Sequence, residues 1–135
     1  MTLRDVTIAL RDAFLESTTL PAVVLTPRQP DFISSDSFFS ISLDSVSRDC
    51  SDLKRIHPTN TRAQFSALIV VKTYTNHLTL ELTDMIEEVI AMVTALTTTS
   101  TGASYYVSNI MTQFHEDARW AAAMATIVVE GYEGQ

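Results

Sequence analysis

The chain has 135 residues, 46% of them apolar, and a formal net charge of −7. That length suits one domain, which buries roughly two-thirds of its unfolded surface. The acidic balance argues against a protein that grips a phosphate backbone by bulk charge, because such binding needs Lys and Arg to displace counterions. The lone cysteine, Cys50, excludes an internal disulfide.

A single thiol fits a reducing compartment. The opening "MTLRDVTIAL" lacks the basic region and apolar block of a signal peptide. No apolar stretch reaches the ~18–20 residues of a membrane span. The expectation is a soluble protein made in a cytoplasm, with no membrane partner. Three glycines and four prolines leave little room for flexible linkers.

Residues 3 to 15 read as a helix, because Leu3, Val6, Leu10, Ala13 and Phe14 recur at steps of three and four. Thr2 suits the N-cap, with Asp5 near the positive helix end. "STTLP" breaks the pattern, and "AVVL" at 22 to 25 is a short strand. Two prolines in "TPRQPDFISSD" make the next stretch a loop or broken edge. "SFFSISLDSV", residues 37 to 46, alternates as a half-buried strand: Phe39, Ile41 and Leu43 point inward, and Ser40, Ser42 and Asp44 outward to water.

A polar loop is expected over 47–63. Four basic residues, Arg48, Lys54, Arg55 and Arg62, face two acids there, a local sum of +2 that leaves −9 for the rest. Two readings stand: a solvated loop, or an arm that docks on a negative partner. Long loops inside compact domains are often functional. "QFSALIVVKTYT", residues 64 to 75, is apolar on both faces and reads as a central strand. One face suits a helix, and the other a second helix or a neighbouring subunit.

"NHLTLELTDMIEEVIAMVTALTT" is the strongest helix. Leu82, Met85, Ile86, Val89, Val93 and Leu96 form its apolar stripe, and Glu81, Asp84 and Glu88 an acidic stripe on another face. Asn76 suits its cap. "TTTSTG", 97 to 102, reads as a turn, "ASYYVSNIMTQF" as a strand, and "HEDA" as a tight turn. The segment "EDARWAAAMATIVVEGYE" is ambiguous, since its alanines favour helix but Thr126 to Val129 are β-branched in a row. The preceding turn tips it to a strand antiparallel to residues 103 to 114. Trp120, Ala122 and Met124 then share one face, and Ala121, Ala123, Ala125 and Ile127 the other. The order α-β-β-β-α-β-β predicts an α+β fold, a mainly antiparallel sheet with two packed helices.

Residues 1–135 in this order resemble the tail terminator, or tail completion, proteins of long-tailed bacteriophages. The likeness rests on "LRDVTIALRDAF", the pair "SFFSISLDSV" and "AQFSALIVVKTY", the helix "LELTDMIEEVIAMVTAL", and the hairpin "YYVSNIMTQFHEDARWAAAMATIVVEGYE". It rests on architecture rather than a signature motif, and related head–tail connectors share parts of the plan. The resemblance implies a virion protein, assembled in the bacterial cytoplasm as a homo-hexameric ring. Such a ring stops tail tube growth and joins the tail to the head-completion or connector proteins, while DNA passes through its lumen. It implies no cofactor and no covalent chemistry.

Under that likeness Glu81, Asp84 and Glu88 would face the lumen and repel sliding DNA, against the plainer reading of a solvated helix face. Arg48, Lys54, Arg55 and Arg62 would dock on a neighbouring ring or tube. Trp120 is either core or an interface anchor. The rival classes are a dimeric ligand-binding α+β module, with an enclosed cavity, and an enzyme built from scattered residues.

Chemical motifs are weak. His115, Glu116 and Asp117 are sequence neighbours on a turn and splay apart rather than converge on a metal. His57 and His77 lack ligand spacing. Arg48 and Lys54 near Cys50 favour its thiolate, but no general base stands beside it. No G-x-S-x-G or glycine-rich phosphate loop is present.

Overall fold

The computed structural model describes residues 2–17, 22–24, 37–49, 60–72, 78–99, 102–114 and 120–132. Its elements are α1 (Leu3–Glu16), β1 (Ala22–Val24), β2 (Phe38–Asp49), β3 (Asn60–Lys72), α2 (Leu78–Thr99), β4 (Ser104–Phe114) and β5 (Trp120–Glu130). The element order and α+β class match the sequence expectation.

Helix α1 starts at a reciprocal cap. The Thr2 hydroxyl accepts from the Asp5 N–H at 3.3 Å, and the Asp5 carboxylate accepts from the Thr2 N–H at 2.9 Å. Two backbone donors that a helix start leaves orphaned are thereby satisfied. The Thr2 backbone N–H most strongly, and then the Thr2 hydroxyl, hold the Asp5 carboxyl below the usual carboxylate range. Val6, Leu10 and Phe14 form the buried face of α1. Phe14 meets Phe39 of β2, with ring centroids 4.7 Å apart and tilted 45°; such tilted pairs are favoured by the ring quadrupole.

The five strands lie in the order β1-β2-β3-β5-β4. Only the short β1 runs parallel to its neighbour; β2, β3, β5 and β4 alternate in direction. Both helices pack on one face. There Phe39, Ile41, Phe65, Ala67, Ile69 and Val71 join Ala121, Ala123, Ala125 and Ile127 in one core with Leu82, Val89 and Val93 of α2. The alternation expected for β5 is present: Trp120 and Ala122 lie on the other face, in a smaller cluster with Phe38 and Val70. Alanines on the helix side of β5 let α2 approach the sheet closely.

Several boundaries differ from expectation. Strand β2 continues to Asp49 and β3 begins at Asn60, because residues 47–49 pair with 60–62. The expected loop at 47–63 is therefore strand at both ends. Thr97 to Thr99 continue α2 instead of forming a turn. The Thr97 hydroxyl bonds both backbone groups of Tyr105, donating to its carbonyl at 2.6 Å and accepting from its N–H at 2.8 Å. A helix terminus thus acts as a strand neighbour for part of β4. Ser40, expected in water, is 4% exposed, because the Phe38 cluster buries that end of the face. Leu43 shares the helix-side face with Phe39 and Ile41 as expected, opposite Phe65, but is 47% exposed, at the cleft beside α1. Asn76, Cys50, Lys54, Arg55, His57, His77 and the turn at 115–118 lie outside the described residues.

Gly131 ends β5 at φ +82°, a left-handed conformation that glycine adopts without strain. Its N–H donates to the Thr61 carbonyl at 3.0 Å, and the Thr61 hydroxyl donates to the Tyr132 carbonyl. Tyr132 thereby returns to the helix-side core.

Two outcomes are expected. Ala125→Leu forces a larger side chain between β5 and the helices and destabilises the fold by about 1–3 kcal/mol, read as a lower urea midpoint with unchanged slope. Asp5 has a lowered pKa when folded, so its contribution is complete above the unfolded value near ~3.9 and is lost as pH falls through the lower folded value. Asp5→Asn removes that part of the acid dependence, measured as the difference between the two proteins' stability curves below about pH 4.

Candidate assembly surfaces

Glu81, Asp84 and Glu88 share one side of α2, as their spacing of three and four requires. Their surroundings differ. Asp84 is exposed, and Glu81 is half-buried. Glu88 accepts from the Ser17 hydroxyl at 3.4 Å, at the end of α1. It lines an open cleft of about 260 Å³ with Ala13, Glu16, Met92 and Leu96, where the two helices meet. Glu88 therefore borders the interhelical seam. Glu87, which the apolar-stripe reading passed over, stands exposed on the neighbouring side of α2 with Thr83, Ile90 and Thr94.

The basic set is divided. The Arg48 backbone pairs with Thr61 in the sheet. Arg62 is a strand residue whose register partner is Glu130. Its Nε lies 3.7 Å from the Glu130 carboxylate, which also accepts from the Tyr106 hydroxyl at 3.1 Å. Arg62, Glu130 and Tyr106 thus link β3, β5 and β4 on the helix-free face, so Arg62 is a sheet residue and not part of a loop. Shielding by surrounding chain, and then the Glu130 carboxylate, push the Tyr106 hydroxyl above its ordinary pKa, because both disfavour phenolate.

Trp120 is 6% exposed and packs on Phe38, Val70 and Ala122. Its surface is used within the chain. Exposed apolar side chains stand elsewhere: Leu43 and Val46 on β2, Ile90 on α2, and Tyr106, Met111 and Phe114 on β4. Met111, 68% exposed, is the cross-strand partner of Met124, also exposed, on the helix-free face. The bulge between Val107 and Asn109 breaks the period-two alternation of "SYYVSNIMTQF", so that Tyr106 and Met111 share the helix-free face although they stand five residues apart.

Two clefts flank the helix layer. Between α1 and β2, Thr7, Leu10, Arg11, Ile41, Leu43 and Phe65 line one of about 220 Å³. Between α2 and the outer edge of β4, Ile90, Thr94, Val107 and Ile110 line another of about 500 Å³. The cleft beside β4 opens broadly to the surface, whereas the one between α1 and β2 is about half-enclosed and mostly apolar. Among the described residues no three His, Cys, Asp or Glu side chains gather as a metal site, and no helix is long and apolar enough to cross a membrane.

No family model matches the chain, and no curated protein matches it. Among solved structures, the fold is similar to that of a chain in the virion of a native gene transfer agent particle. The TM-score is 0.62 at 13% identity, over 95% of this chain and 94% of that one. At that identity the likeness shows a common fold.

Proposed function

We propose that this protein is a structural component of a phage-like virion, and within it the tail terminator. The observation that carries the reading is the fold shared with a virion chain over nearly the full length of both. The open cleft beside β4, exposed apolar strand residues and a small antiparallel sheet support an assembly module over a ligand pocket. In this reading the chain forms a hexameric ring at the head-proximal end of the tail tube. The ring ends tube growth, receives the head-completion protein on its far side, and lets DNA pass through its lumen. It performs no covalent chemistry.

A ring needs a heterologous contact, in which two different surfaces of one subunit meet on successive neighbours and the rotation closes. The acidic side of α2, with Glu81 and Asp84 foremost, is assigned to the lumen. Repulsion between carboxylates and phosphates there keeps DNA from adhering.

Native mass across a concentration series is expected to reach six times 15.0 kDa, either alone or on purified tail tubes. Particles lacking the protein should show tails of irregular length or tails unjoined to heads; normal joined particles would refute the terminator role. Replacing Glu81 and Asp84 together with lysine, with Glu88 kept for its contact to Ser17, should leave the circular dichroism spectrum intact and lower DNA delivery by roughly tenfold or more, since phosphate attraction replaces repulsion. Full infectivity of that variant would put the helix layer on the outer wall of the ring.

A further inference from the structure

The sheet has two edges that no described strand covers. On one side β1 pairs with Phe38–Ser40 of β2, and among the described residues Ile41–Asp49 have no strand neighbour on that side. On the other side β4 is the outermost described strand, and the Thr97 hydroxyl bonds the Tyr105 backbone there. Open edges invite pairing with another chain, and proteins that avoid it place charges or proline there. The β4 sequence "SYYVSNIMTQF" contains neither. Its one blunting device is a bulge between Val107 and Asn109.

Resting on the ring reading above, we propose that β4 of one subunit pairs antiparallel with the open part of β2 of the next, so that one sheet runs continuously around the ring. Strand direction carries the argument. Because β2, β3, β5 and β4 alternate, a second copy in the same orientation presents its β2 antiparallel to β4. The alternation then continues without interruption, and all helices stay on one face. The two edges are different surfaces of one chain, as a heterologous ring contact requires.

The flanks of the edges are complementary. Arg11 lines the cleft beside β2, and Arg4 lies seven residues earlier on α1. Both are exposed. Ile90 and Thr94 line the cleft beside β4, and exposed Glu87 stands one turn before Ile90. Joining the edges brings α2 of one copy against α1 of the next. Glu87 then faces Arg11 and Arg4, while exposed Leu43 meets Val107, Ile110 and Ile90. The present partner of Arg11 is its exposed neighbour Asp12, at 3.0 Å, a contact weak enough to exchange. The partner is a second copy of this chain, chosen by matching backbone edges and opposite flank charges.

The test is hydrogen–deuterium exchange on the full chain, assembled and dilute, with native mass recorded on the same samples. The expected result is that Tyr106–Phe114 and Ile41–Asp49 slow together on assembly, by about tenfold or more. A hexamer in which either edge exchanges as in dilute protein overturns the edge pairing and leaves the ring standing. A dimer protected at β4 alone overturns both, since an isologous β4 joint ends the sheet. A monomer that stays a monomer on tail tubes also overturns both. Arg11→Glu and Glu87→Arg lie on exposed helix positions that the fold does not need. Each should raise the assembly midpoint concentration by roughly threefold per contact, and the two together should restore it; absence of rescue overturns the α1–α2 contact across the joint.

Discussion

The packing of α2 on the alanine-rich face of β5 is the constraint on which the rest of the molecule depends. A strand at the centre of an antiparallel sheet needs residues small enough to admit a helix, yet buried enough to hold it. Ala121, Ala123 and Ala125 meet both demands on the helix side, with Ile127 and Val129 closing the far end. Because α2 settles there, its C-terminal turn reaches β4, and Thr97 satisfies the Tyr105 backbone. Phe14 and Phe39 fix α1 at the opposite side of the same layer. The helix layer is thus set by β5 in the middle and by aromatic contact at one flank.

That placement leaves the other sheet face with a divided character. At one end Phe38, Val70, Trp120 and Ala122 bury one another. At the other end Arg62, Glu130 and Tyr106 cross three strands through polar contacts. Such exposed contacts contribute little to stability on their own. They hold opposite charges near one another where no helix covers the strands, although the Arg62 Nε itself lacks a hydrogen-bond partner. Ser66 likewise donates to Asp44 at the β2 bulge. The two bulges fall on the same row of the sheet, since Leu43 pairs with Phe65, Phe65 with Ile127, and Ile127 with Val107. Bulges sharpen local twist, so the sheet bends along one line at both edges. Bending of that kind is used wherever sheets must close.

Charge acts at a different scale from packing. The net charge of −7 sets long-range repulsion between copies, while the fold itself is held by apolar burial. Acidic side chains gather on α2, and exposed Arg4 and Arg11 stand on α1. Both helices are acidic in sum, α1 only weakly, because Asp5, Asp12 and Glu16 outweigh Arg4 and Arg11; the contrast is confined to the side of α1 that carries the two arginines. Local charge contrast of this kind orients a contact more than it strengthens one.

Periodicity was sufficient for the element order. Steps of three and four identified α1 and α2, and the β-branched run at Thr126–Val129 identified β5 despite its alanines. The two faces of β5 were also legible, because side chains alternate strictly along a strand. Strand ends were not. Arg48, Asp49, Asn60, Thr61 and Arg62 look like loop by polarity, but their backbones pair with each other across the sheet; pairing depends on a partner distant in sequence. Nor could the chain alone say that Ser40 is buried and Leu43 exposed, that Trp120 is spent inside, or that Glu88 borders the seam with α1. The sequence by itself determined which residues can form helices and strands, and which side chains share a face, because both follow from local backbone geometry. Only the tertiary structure decided which faces are covered and which edges stay open, because cover comes from elements brought together by folding.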